Sequence, residues 1–279
     1  MKVSVLILTY NEERNIAACL ASLAGIDDIV VVDSGSADGT CALAEEHGAR
    51  ILTRPFDNFA SQRNFGLDEG SLRHEWVLHL DADEVATPDF LAALESLTAE
   101  PCIEGYRVPS KTILNGRWLR YSGMYPTYQV RLGHRDRMRF KQVGHGQRED
   151  LALEQVGTFP EPYLHYNFSH GITQWLHKHV GYAEAEAEQF FRDREVELRP
   201  RDFLFGNKTE RRRALKRLVN RLPVTLRPPL RFIHAYVLRR GFLEGRVGLQ
   251  YAVMLSCYEA MIAALILDKW SASGANCDA

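Results

Sequence analysis

The chain has few of the features that mark several large protein classes. Its five cysteines, Cys19, Cys41, Cys102, Cys257 and Cys277, are scattered over 279 residues and form no C-x-x-C pair. That pattern argues against a disulfide framework or a zinc site and fits a reducing cytosol. No phosphate-binding G-x-x-x-x-G-K-[ST] loop occurs, and no G-x-G-x-x-G follows the first apolar run, so an ATPase or a dinucleotide-dependent enzyme is disfavoured. No run of about 20 uninterrupted apolar residues is present, and a clean transmembrane span is not expected. The opening run, Val3–Leu8, is too short for a signal peptide and leads straight into polar Tyr10-Asn11-Glu12-Glu13. There is no internal repeat and no low-complexity tract.

What remains is an ordinary globular composition, 46% hydrophobic and 25% charged, long enough for one large α/β domain or a domain with an appendage. The net charge of −2 hides an asymmetry: between Arg199 and Arg246 stand 14 Lys or Arg against 3 Asp or Glu. A segment so cationic is expected to face phosphates or a membrane surface.

The first 100 residues alternate strand and helix. Val3–Leu8, Ile29–Val32, Ala49–Thr53 and Trp76–Leu80 read as buried parallel strands. Ile16, Cys19, Leu20 and Leu23 have helical spacing, and helices are also expected over Cys41–Glu46, over Asn58–Leu67 and from Pro88 onward. The rhythm predicts a doubly wound parallel sheet, in which ligands bind beyond the carboxyl ends of the strands. Thr9-Tyr10-Asn11, Asp33 and Asp81/Asp83 all fall at such ends. From Glu104 to about Pro162 short strands and loops are expected to cover the site, and residues 172–196 read as helical. A basic amphipathic helix carries Leu215, Leu218, Val219 and Leu222 among six Lys or Arg, with Pro223, Pro228 and Pro229 breaking it. Further apolar helices follow over about Phe232–Leu238 and Val247–Leu267, and a disordered tail from 271.

The sharpest local feature is Trp76-Val-Leu-His-Leu-Asp81-Ala82-Asp83-Glu84. If the strand continues, Asp81 and Asp83 project to one side and small Ala82 to the packed side. Two hard oxygen donors aimed at one spot suit a divalent cation carrying a diphosphate. Alone, such a pair is also common in solvated turns.

Four stretches together, Ser4–Glu12, Val30–Thr40, Gln62-Arg63-Asn64 and Leu80–Glu84, make the chain resemble the family 2 glycosyltransferases. With Arg240-Gly241-Phe242-Leu243-Glu244-Gly245, it resembles more narrowly the bacterial enzymes of lipopolysaccharide core and exopolysaccharide assembly. The resemblance implies a GT-A fold, a Rossmann-like mixed sheet with helices on both faces, followed by a helical, basic, membrane-associating region. It implies a nucleotide-sugar half over 1–100, an acceptor-side half over 101–196, the basic and apolar helical region over 197–270 and a tail over 271–279. Thr9, Tyr10, Asn11, Glu12, Asp33, Arg63 and Asp81 would hold the nucleotide, UDP by default, and Asp83 with Asp81 would hold Mg²⁺ or Mn²⁺.

An inverting transfer also needs a base on the acceptor side of the sugar. Val143-Gly144-His145-Gly146-Gln147-Arg148-Glu149-Asp150 is the candidate region, with Glu149 preferred, then Asp150, and His145 as a basic or hydrogen-bonding partner. Related enzymes carry Val-His-Glu here, which Gly144 and Gly146 interrupt. The Gln-x-x-Arg-Trp signature of processive synthases is missing, so one sugar is expected per encounter, on a lipid-linked or polysaccharide acceptor. The expected place is the cytoplasm, peripheral on the inner face of the cytoplasmic membrane, with its anionic surface as a partner and no nucleic acid. Two alternatives stay open: a polyprenyl-phosphate sugar synthase, and a non-enzymatic basic membrane- or nucleic-acid-binding protein. Beside these readings, Asp33, Asp38 or Thr40 could simply cap a helix. Arg63 reads equally well as a surface residue, and His165, His170, His177 and His179 show no ligand spacing.

Overall fold

The computed structural model describes residues 1–143, 146–194 and 223–272. His145 and the basic run from Arg211 to Leu222 lie outside them, as does the tail from 273. Two compact units form: Met1–Arg120 with Tyr125–Ser169, and Tyr121–Met124 with the residues from His170 onward.

The first unit is built on β1 (Val3–Thr9), α1 (Ile16–Ala21), β2 (Ile29–Asp33), α2 (Thr40–Glu46), β3 (Arg50–Thr53), α3 (Phe59–Glu69), β4 (Trp76–Asp81), β5 (Glu84–Val85) and α4 (Pro88–Ser96). There follow β6 (Gly105–Leu114), β7 (Arg117–Trp118), β8 (Thr127–His134), β9 (Phe140–Val143), β10 (Gly146–Glu149), β11 (Val156–Thr158) and β12 (Tyr163–His165). The sheet runs β3-β2-β1-β4-β8-β6-β12-β5, with β7 and β11 also on β6, while β9 and β10 form a separate hairpin. Strands β1 to β4 are all parallel, as their unbroken apolar runs predict. Beyond them β8 pairs antiparallel to both β4 and β6, so the whole sheet is mixed.

Alternation along β4 sends its side chains to two cores. Leu78 and Leu80 pack with Ile16, Leu20, Phe90 and Leu94 on one face. Val77 packs with Ala60, Leu67, Met138 and Phe140 on the other. Helix α3 comes so close to β1 that a Cβ on Gly66 would lie 2.6 Å from Leu6 Cδ1, and the buried Leu6 side chain would have to shift to admit it. Local signals set the helix starts. Asn58 accepts from the Ser61 amide at 2.8 Å ahead of α3, and Thr87 accepts from Phe90 at 3.1 Å with Pro88 in the first turn of α4.

The second unit contains α5 (Ile172–Arg194), α6 (Arg227–Ile233) and α7 (Arg246–Ala272). Ala183, Ala187 and Phe190 of α5 share a core with Val224 and with Ile262, Ala263 and Ile266 of α7. The basic helix that Pro223, Pro228 and Pro229 are expected to break lies outside the described residues, but Pro228 and Pro229 have a place of their own. They occupy the first turn of α6, where a missing N–H costs nothing, and the helix runs on through a wide π-type turn over His234–Leu238.

Candidate active site

Register gathers the expected residues. Thr9 lies opposite Asp33 across β1 and β2, and Leu8 opposite Asp81 across β1 and β4. Asp33, Thr9 and Asp81 therefore stand at the carboxyl ends of three adjacent parallel strands. Asp33 is buried and takes four hydrogen bonds: from Thr9 Oγ1 at 3.0 Å, Ser36 Oγ at 2.5 Å, and the amides of Gly35 and Ser36 at 2.8 Å each. Burial pushes its carboxyl up, but the donors of Ser36, Gly35 and Thr9 outweigh burial and hold it below the usual carboxylate range. Asp33 closes a turn rather than capping a helix; the cap position of α2 is Gly39.

The loop after β1 is laced to that turn. Asn11 adopts a left-handed φ of 55°, donates its amide to Ser36 Oγ and accepts from Ala37, both at 2.8 Å. The Glu12 amide donates to Thr40 Oγ1 at 2.8 Å, and the Glu12 carboxylate accepts from Asn15 at 2.5 Å. Tyr10 is left 61% exposed at the mouth of this frame.

Strand β4 ends at Asp81, and residues 82 and 83 form a turn, so strict alternation does not carry to Asp83. The two aspartates consequently meet different partners. Asp81 Oδ1 accepts from Arg63 at 2.6 Å and Oδ2 from Arg131 of β8 at 2.7 Å. Arg131 also binds Glu84, whose other oxygen accepts from the Asp81 amide at 2.9 Å. Arg63, Arg131 and Glu84 are all buried. Burial opposes ionisation of Asp81, but Arg131 and Arg63 overcome it and hold its carboxyl far below the ordinary range. Glu84 goes the other way: burial raises it, Arg131 opposes that, and neighbouring Asp81 adds to the rise. Ala82 is buried in the first core, as its size allows.

Asp83 faces His165 of β12, with Oδ2 3.4 Å from Nε2, and its carbonyl accepts from the Tyr166 amide at 2.8 Å. Burial lowers the His165 imidazole, yet the Asp83 hydrogen bond and the charges of Glu84, Asp83 and Asp81 raise it overall. The Asp83 carboxylate is a hard oxygen donor of the kind Mg²⁺ or Mn²⁺ takes, and the His165 imidazole is a softer one; among the described residues no group of three or more His, Cys, Asp or Glu is placed to hold a metal by itself.

The Gln62-Arg63-Asn64 triplet on α3 ties three elements together. Gln62 donates to Ser34 Oγ at 3.1 Å, Arg63 grips Asp81, and Asn64 exchanges two hydrogen bonds with the Phe140 backbone at 2.9 and 3.0 Å. With its amide oriented by its neighbours, Gln147 of the β9–β10 hairpin accepts from Arg63 Nε at 2.5 Å. Arg63 is thus no surface residue, and its Nη1 has no hydrogen-bond partner among the described residues. Of the base candidates, Glu149 lies opposite Phe140 in the hairpin, and exposed Asp150 pairs with Lys141 at 2.8 Å. Sequence reasoning passed over Arg131, Glu84 and His165. A charged residue between apolar Val130 and Leu132 was the available signal for Arg131. His165, 82 positions from Asp83, left none that spacing could detect.

Residues 4–148 match the profile described as Glycosyl transferase family 2. Lipopolysaccharide core biosynthesis glycosyltransferase LpsC of Rhizobium meliloti (strain 1021) is 34% identical over 122 residues, 42% of this chain and 44% of that protein. An uncharacterized glycosyltransferase of Rickettsia felis is 35% identical over 99 residues, 35% of this chain and 34% of that one. The matched stretch thus spans less than half the length of these curated relatives. Among solved structures, the mannosyltransferase of Pyrobaculum calidifontis in complex with GDP-Man and Mn²⁺ superposes with a TM-score of 0.51 at 18% identity, covering 95% of this chain and 87% of that one. The mixed sheet flanked by helices is therefore a glycosyltransferase fold of the GT-A type. With the profile match running over just more than half of its residues, the chain belongs to glycosyl transferase family 2.

Proposed function

We propose that this protein is a metal-dependent, inverting and non-processive glycosyltransferase. It moves one sugar from a nucleoside diphosphate, UDP by default, to a lipid-linked, lipopolysaccharide or exopolysaccharide acceptor at the cytoplasmic face of the membrane. The observation that carries the reading is the convergence of Thr9, Asp33 and Asp81 on adjacent strand ends, with Asp83 and His165 directly beyond them. In this reading residues 1–100 hold the donor, residues 101–196 shape the acceptor side, and residues 197–270 meet the membrane.

Exposed Tyr10 offers a ring to the base, and the frame of Thr9, Asn11 and Asp33 orients the nucleoside. Asp83 and His165 would hold Mn²⁺ or Mg²⁺, which supplies Lewis-acid stabilisation of the departing diphosphate. Asp81, with both oxygens on arginines, fixes the strand end and aligns the Asp83 turn. Glu149 remains the first candidate for the base that takes the acceptor's hydroxyl proton, ahead of Asp150, with His145 assisting. LpsC supports the acceptor class by name alone.

The test is to incubate the purified protein with nucleotide sugars, with and without Mn²⁺, and follow nucleoside diphosphate release. Metal-dependent release lost in Asp83→Ala is expected. Full activity in Asp83→Ala, or equal activity in chelator, would overturn the metal role.

A further inference from the structure

The second unit carries a set of exposed apolar residues close together in sequence. Leu226, Leu230, Ile233 and Val237 follow one another at steps of four, three and four, and all are exposed. That spacing places them along one side of α6 and the helical turns that flank it. Leu238, at 69%, is the most exposed residue of the group.

The chain then turns through Arg240-Gly241-Phe242-Leu243-Glu244-Gly245, the segment that distinguished it in sequence. Its backbone is fixed from within. Arg240 and Gly245 take left-handed φ values of 59° and 62°. A Cβ on Gly241 would lie 2.7 Å from the Ala235 carbonyl oxygen, and one on Gly248 would lie 2.0 Å from that of Gly241. Glu244 turns inward and accepts from the amides of Tyr121 at 2.8 Å and Ser122 at 3.3 Å, and from the Ser122 hydroxyl. With the loop so held, Phe242 and Leu243 are presented outward at 48% and 56% exposure. Leu249 and Val253 extend the exposed apolar set onto α7. A row of this length on an ordinary soluble surface marks an interaction site.

Its charges identify the occupant. Residues 226–253 hold five arginines and one carboxylate. Arg227 pairs with Glu259 at 2.9 Å and Glu244 is the inward carboxylate, which leaves Arg231, Arg239, Arg240 and Arg246 as the remaining charges of the stretch. A second copy would set like-charged faces against each other. An anionic bilayer offers acyl chains to the apolar row and phosphates to the arginines. By length and composition α7 is long and apolar enough to cross a membrane. One side of it packs in this unit, with Ala252, Met254, Ile262, Ala263 and Ile266 buried, while only 33% of its most apolar window is buried.

We propose that the face running from Leu226 through the Phe242-Leu243 turn to Val253 docks into the interface of an anionic lipid bilayer. The inference deepens the membrane-side placement given above and rests on it. The experiment is flotation of the full chain with vesicles of phosphatidylcholine alone or mixed with phosphatidylglycerol, with donor hydrolysis measured in parallel without vesicles. Binding to mixed vesicles only is expected. Phe242→Ser with Leu243→Ser should weaken it by at least about tenfold, from the apolar area withdrawn. Arg239→Ser with Arg240→Ser should weaken it by about 30-fold at low salt and flatten its salt dependence. Circular dichroism and unchanged vesicle-free hydrolysis show that both variants fold. Absence of binding, wild-type binding by both variants, or a wild-type dimer that the Phe242/Leu243 variant dissociates would overturn the proposal. Intact vesicle binding without any hydrolysis would instead defeat the enzymatic reading alone.

Discussion

Arg63 Nη2 lies 2.6 Å from Asp81 Oδ1, and this buried guanidinium and the strand-end carboxylate join α3 to β4. Removing Arg63 leaves Asp81, whose side chain is 36% exposed, still held by Arg131, so the cost is that of one lost charge-assisted contact, about 1.5–3 kcal/mol. Arg63→Ala should lower the unfolding free energy by that amount in a urea titration. A loss below about 1 kcal/mol, within the range of exposed ion pairs, would show that the contact is not structural. Asp81→Asn combined with Arg63→Ala should cost less than the sum of the two single changes, because the substitutions share one interaction.

The Asp83–His165 pair makes a separate prediction. If His165 shares the metal with Asp83, His165→Ala should shift the Mn²⁺ concentration giving half-maximal activity upward by at least about 10–100-fold, the range seen when even outer-shell support of a metal site is lost. Saturating Mn²⁺ should restore part of the rate. An unchanged metal titration would assign His165 a structural role instead.

Much of this site was legible in the sequence because it is local. Apolar runs ending in Thr9, Asp33 and Asp81 gave parallel strands, and parallel strands put their ends side by side. What stayed hidden depends on the antiparallel addition of β8 and the return of β12, which no periodicity in the first 100 residues encodes. Arg131 and His165 arrive by that route. Arg63 was ambiguous for a related reason: α3 carries polar residues on its inner side, Gln62 and Arg63 both being buried, so polarity alone misreports which face is in.

Asp33 links stability to pH. Its folded pKa is depressed, so its contribution is fully present above the unfolded carboxylate value of about 4 and is lost as pH falls through the folded one. Asp33→Asn turns an amide N–H toward groups that donate to it now, and should cost about 2–3 kcal/mol near neutrality. Thermal melts between about pH 5 and pH 3 should fall less steeply for Asp33→Asn than for the parent. Parallel curves would remove Asp33 as a source of acid sensitivity.

His79 makes the opposite case, a polar side chain that the fold tolerates rather than uses. It sits fully buried in the middle of β4, edge-on to Phe140 with ring centroids 4.9 Å apart, and neither ring nitrogen has a hydrogen-bond partner among the described residues. Burial, reinforced by the charges of Arg63 and Arg131, pushes its pKa well below the ordinary histidine value. Unfolding releases an imidazole that protonates near pH 6.5, so stability present above that pH is lost as pH falls, by up to about 1.4 kcal/mol per unit. His79→Leu is close in volume and removes two unsatisfied polar atoms. It should leave stability at pH 8 unchanged or raise it by about 1–3 kcal/mol, and should abolish the decline between about pH 6.5 and pH 5. Urea titrations at those pH values decide the matter: a variant much less stable at pH 8, with the acid decline intact, would mean that His79 has a polar role in this core.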